Sequence, residues 1–110
     1  MLRSNQRIMQ DFFDNIVKIV SEGSSDKYVM MVLNKFVDVH KGIFPFLKYV
    51  SIDLNKIKVD KKINSVSHKL VGKFLKVLIN SLFSQLFFLL VKRKIPLELA
   101  EDLKSLGITE

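Results

Sequence analysis

No cysteine occurs anywhere in the 110 residues. Disulfides and thiolate-bound metals are therefore excluded, and nothing points to an oxidising compartment. Glycine (four) and proline (two) are scarce. That leaves little material for the tight turns of a β-sandwich or barrel and favours helices. The opening stretch MLRSNQRIMQDFF has no apolar run ahead of a small-residue cleavage site, so no signal peptide is read and a cytoplasmic location is the default expectation. Signatures of catalysis are also missing: there is no HExxH, no GxSxG, no phosphate loop and no GxGxxG. His40 and His68 stand alone, and Asp38 lies two residues from His40, on a different face of a helix. Glu98, Glu101 and Asp102 read as the solvated side of a last helix. Neither an enzyme, nor a metal, nor a cofactor is expected.

What the chain does have is apolar material in helical register. Its length predicts one domain over 1–110. Met9, Phe12, Phe13, Ile16, Val17, Ile19 and Val20 predict a first helix over 4–21, with Gly23 as its cap. Ser24 or Ser25 would cap a second helix over 26–40, striped by Val29, Leu33, Phe36 and Val37, the two forming a helical hairpin over 4–40. Leu47, Val50, Leu54 and Ile57 follow heptad spacing after Pro45 and predict a third helix over 45–57. A strand competes for YVSIDL, whose residues are β-branched and nearly alternate.

The segment Lys69–Val91 is apolar on nearly every side. It predicts a long helix over 65–93 whose surroundings must bury it from all directions. Val71, Leu75, Leu78 and Leu82 are its expected core residues. Pro96 would open a short C-terminal helix over 96–106, stopped by Gly107. The expected fold is thus all-α: a compact bundle of four to five helices around one long, very apolar central helix.

The formal charge is +7 and unevenly placed. From Lys56 to Lys94 ten basic residues face Asp60 alone, a local +9, while the remainder holds eight basic and ten acidic residues. On a continuous helix Lys58, Lys62, Lys69, Lys73 and Lys76 would share about a sixth of the circumference and run about 27 Å. Such a stripe is a candidate surface for tracking a nucleic-acid backbone. A solvated helix edge has the same appearance, and the absence of arginine from the stripe favours that plainer reading. Phe44, Phe46, Tyr49, Phe83, Phe87 and Phe88 are candidates for a protein interface, since a small bundle has little surface with which to cover them.

Three readings of function follow. The first is a small basic, non-catalytic helical protein acting through association, as a homodimer or as a subunit of a larger assembly. The second is a nucleic-acid-binding accessory factor using the lysine stripe. The third is a membrane-associated protein, with lysines inside the apolar segment weighing against insertion.

Overall fold

The computed structural model describes residues 2–22, 25–53 and 55–108, leaving aside the side chains of 85 and 86; Gly23, Ser24 and Leu54, to which the sequence pattern assigns roles, lie outside this set. Five α-helices dominate, as expected, and a small two-stranded sheet joins them. Helix α1 spans Asn5–Val20 and α2 spans Asp26–His40. Ser4 caps the first by accepting from Arg7 N–H, and Ser25 caps the second by accepting from Lys27 N–H. The buried residues of α1 recur in adjacent pairs four apart: Ile8 and Met9, Phe12 and Phe13, Ile16 and Val17. That spacing is one face of an α-helix.

The third expected helix, 45–57, does not form. Pro45 opens only a 3-10 turn over Pro45–Tyr49, which passes directly into strand β1, Val50–Ile52. Strand β2, Ile57–Val59, pairs with it antiparallel, Val50 opposite Val59 and Ile52 opposite Ile57. Both strands bury their outer positions and expose the middle one, Ser51 and Lys58. The apolar residues therefore obey a period of two as well as a heptad. Turn chemistry decides between the periods. The Asp53 carboxylate accepts from Asn55 N–H at 2.7 Å and from Lys56 N–H at 2.8 Å, a local closure that competes with helix.

The long helix is also divided. Asp60 caps a second 3-10 turn, Lys61–Ser65. Val66 and Ser67 are extended, and Ser67 caps helix α3, His68–Leu82. Phe83 and Ser84 are extended again, and the Ser84 hydroxyl accepts from Phe87 N–H to start α4, Gln85–Lys94. This corrects the expectation of one long, very apolar central helix. The apolar character on every side is the sum of two helices with different buried faces. Val71, Phe74, Leu75, Leu78 and Ile79 are buried on α3, and Phe88 and Val91 on α4. Leu82, expected in the core, is only half-buried at the break. Helix α5, Leu97–Ser105, ends as expected at Gly107, whose φ of 84° lets Ile108 N–H reach Leu103 C=O at 2.9 Å.

Two sets of polar contacts close the fold. Arg3 Nε donates to Asp102 at 2.6 Å and its NH1 to Asp11 at 2.7 Å, joining the N-terminus to α5. Asp102 is therefore not on a solvated side: it is 2% exposed, and the guanidinium is what permits its burial. The second set runs along the polar edge of α1. Gln10 Oε1 accepts from Val59 N–H at 2.9 Å, Gln10 Nε2 donates to Ile57 C=O at 2.8 Å, and Gln6 Nε2 donates to Val59 C=O at 3.1 Å. Buried Asn5 donates to the carbonyls of Ile63 and Val66. The free edge of β2 is thus paired with side-chain amides in place of a third strand.

Replacing Gln10 by alanine strands a buried amide and a carbonyl of β2. It is expected to cost about 1–3 kcal/mol and to remove hydrogen-exchange protection at Val59 before other core amides, as urea unfolding and exchange by NMR will show.

Acid should act through the hairpin turn. Hydrogen bonds from Asn55 and Lys56 N–H hold the Asp53 carboxyl below its ordinary value, and the hydrogen bond and charge of Lys94 do the same for Glu22. A carboxyl depressed in the folded state adds stability that is present above its unfolded pKa, about 3.9 for Asp. That stability disappears as pH falls through the folded value. Asp53→Asn should accordingly match the pH response of the parent above about pH 5 and lose less urea resistance than the parent between about pH 4 and 2; identical acid limbs would refute this.

Candidate functional site

The five lysines of the expected stripe do not share a helix. Lys58 stands on β2, Lys62 on the second 3-10 turn, and Lys69, Lys73 and Lys76 on α3, and all five are exposed. The extended residues Val66 and Ser67 break the register between the two groups. Within α3 the last three still occupy one face, at spacings of four and three.

Lys58 and Lys62 are instead brought together with Lys48. An open basin of about 400 Å³ is lined by Lys48, Tyr49, Ser51, Lys58, Asp60 and Lys62. The hairpin builds it. Ser51 and Lys58 are cross-strand partners projecting from the solvent face, while the two 3-10 turns that enter and leave the sheet supply the walls. Lys48 Nζ lies 5.2 Å from the centroid of the Tyr49 ring, within cation–π range. The one carboxylate, Asp60, accepts from Lys62 N–H at 2.9 Å as the cap of its turn. Among the described residues none of the three lysines is in an ion pair. Sequence reasoning missed Lys48 and Ser51. Alternation within the strands was the signal that would have placed Ser51 beside Lys58.

The aromatic candidates separate into core and surface. Phe44 and Phe46 are buried, their rings packed edge-on against Phe74 at 5.5 and 6.1 Å. Phe88 is buried as well. These three, expected at an interface, are enclosed by the chain itself because the break in the long helix and the 3-10 turn at Pro45 direct them inward. Tyr49 and Phe83 are half-buried, and Phe87 is 37% exposed.

Phe83 lines a half-open apolar pocket of about 190 Å³, together with Ile16 and Val20 of α1, Tyr28, Val29, Val32 and Leu33 of α2, and Leu82. Of the lining residues Tyr28 is itself 59% exposed, and elsewhere on α2 and α4 Met31 is 55% and Leu90 54% exposed. Phe87 packs on Phe83 with ring centroids 5.5 Å apart, so exposed aromatic and pocket share one patch.

The two histidines make contacts within the chain. His40 Nδ1 bonds to Phe36 C=O with the two rings stacked 4.0 Å apart, and His68 Nδ1 bonds to Asn5 Oδ1. Both histidines thus hold structure. Among the described residues no three His, Cys, Asp or Glu side chains are grouped to hold a metal ion, and no helix is long and apolar enough to cross a membrane. The chain matches no protein-family model, no curated protein and no solved structure.

The division of the aromatics is open to direct measurement. Phe88→Ala should lower stability by about 3–5 kcal/mol, and Phe87→Ala by less than about 1 kcal/mol. Equal losses in chemical unfolding would mean that α4 is turned otherwise than described.

Proposed function

We infer that this protein works by association, and that its first partner is a second copy of the same chain. The observation that carries the reading is the patch formed by the apolar pocket and its rim. An open pocket of about 190 Å³ exceeds a cavity known to admit a benzene ring, about 150 Å³, so one large apolar side chain fits it. Phe87 stands beside it on Phe83, with Leu90 one turn further along α4, and Tyr28 of α2 lines the opening while remaining more than half exposed. A protrusion and a recess in one patch suit a two-fold contact, in which each copy inserts its protrusion into the other. A stable contact needs about 800 Å² from each partner, and exposed apolar side chains on two helices supply an area that a single side chain does not. Exposed patches of this kind mark interaction sites.

Sedimentation at micromolar concentration is expected to give a dimer. Leu90→Glu should convert it to monomer with an unchanged circular-dichroism spectrum, since that side chain is already more than half exposed and surface changes alter stability by less than about 0.5 kcal/mol. A monomeric parent protein, or a dimer indifferent to Leu90→Glu, would overturn the reading.

A further inference from the structure

We propose that the basin on the hairpin is a binding site for a nucleoside phosphate, with the phosphate seated among Lys48, Lys58 and Lys62 and the base against Tyr49. Three separate elements bring these ammonium groups to one opening of about 400 Å³. Like charges gathered at one place repel, and the chain supplies no compensating ion pair there among the described residues. Asp60 is already committed to Lys62 N–H, so the basin keeps an excess of two positive charges. A phosphate offers what the site lacks: negative charge and several acceptor oxygens for ammonium donors, with the Ser51 hydroxyl as a further donor.

The rest of the site argues for more than a bare anion. The opening is much larger than a phosphate needs, and one wall is an aromatic ring. The Lys48 ammonium covers that ring, 5.2 Å from its centroid, and turning it to a phosphate would free the face for a flat base. A base stacked on an aromatic side chain beside a cationic groove is the general pattern of single-strand recognition. The same chemistry occurs in a free nucleotide and in one unit of a strand. The site stands on β1, β2 and the two 3-10 turns and shares no residue with the apolar pocket on α1, α2 and Leu82–Phe83. It therefore does not overlap the proposed dimer contact.

Titration of the 110-residue chain, followed by backbone amide shifts, tests this with four probes at about 50 mM salt: adenosine monophosphate, adenosine, inorganic phosphate and a single-stranded oligodeoxynucleotide. Adenosine monophosphate should move the amides of Ser51, Lys58 and Lys62 and bind more tightly than either of its halves. Changing Lys58 and Lys62 together to Gln should weaken it by about tenfold or more, as expected when two phosphate-binding charges are removed at low salt. The pair Lys69→Gln and Lys73→Gln removes the same charge from α3 and should leave mononucleotide affinity within about twofold.

If the oligonucleotide binds at least about tenfold more tightly than the mononucleotide, with a salt slope near −0.7 per phosphate, the source is a strand. Equal affinities identify the free nucleotide, and either result supports the site. Three results would overturn it: silence at Ser51, Lys58 and Lys62; equal losses from the two double variants; or adenosine and phosphate binding as well as their ester.

Discussion

Side-chain amides along one edge of α1 take the place of a missing strand, and the rest of the fold depends on that substitution. Two strands of three residues each are too few to be stable alone in water. The inner faces of β1 and β2 are buried, but β2 would still present unpaired amide and carbonyl groups along its free edge. Gln10 reproduces the pattern of a neighbouring strand residue, accepting from Val59 and donating to Ile57, and Gln6 adds the bond to Val59 C=O. Asn5 continues the line into the following 3-10 turn. Three polar residues within six positions of a helix thus fix the path of the chain from Ile57 to Val66.

That arrangement explains which parts of the fold were legible in the sequence. The first two helices and the last were, because cap and periodicity agree there: Ser4 before Ile8 and Met9, Ser25 before Val29, Gly107 after Leu103. In the middle of the chain two signals compete. Val50 and Ile57 satisfy a heptad, while Val50 with Ile52 and Ile57 with Val59 satisfy alternation. Asp53 resolves the contest by closing a turn on its own backbone. The partner that makes a two-stranded sheet tenable is nearly fifty residues away on α1, and no local pattern reports it. Gln6 and Gln10 read as ordinary polar positions of an amphipathic helix.

The long apolar segment misleads for a related reason. A sequence that is apolar all round is ambiguous between one helix buried from every side and two helices buried on different sides. Ser84 settles it. As a cap it starts a new helix within the apolar run, and the change of direction brings Phe88 and Val91 into the core, with α4 packed on α1. The same break leaves Phe87 and Leu90 outside. Burial of one face and exposure of the other have a single origin, so the exposed patch is a consequence of how this chain solves its own packing.

The charge distribution was visible in the sequence, but its geometry was not. A helical stripe needs continuous register from Lys58 to Lys76, and two capping residues, Asp60 and Ser67, interrupt it. What the backbone gathers instead is a set drawn from three elements, including Lys48, which precedes the basic segment. Helix α1 supports this basin and the apolar pocket at once. Its N-terminal half holds the hairpin through Gln6 and Gln10, and its C-terminal half floors the pocket with Ile16 and Val20. Between them Ile8, Met9, Phe12 and Phe13 are nearly inaccessible to solvent, and a densely packed interior of that kind transmits displacement rather than absorbing it. The two surfaces are chemically unrelated and share no residue, yet both are positioned by one rigid, 16-residue helix, which is why α1, and not the apolar segment that dominates the sequence, is the structural centre of the protein.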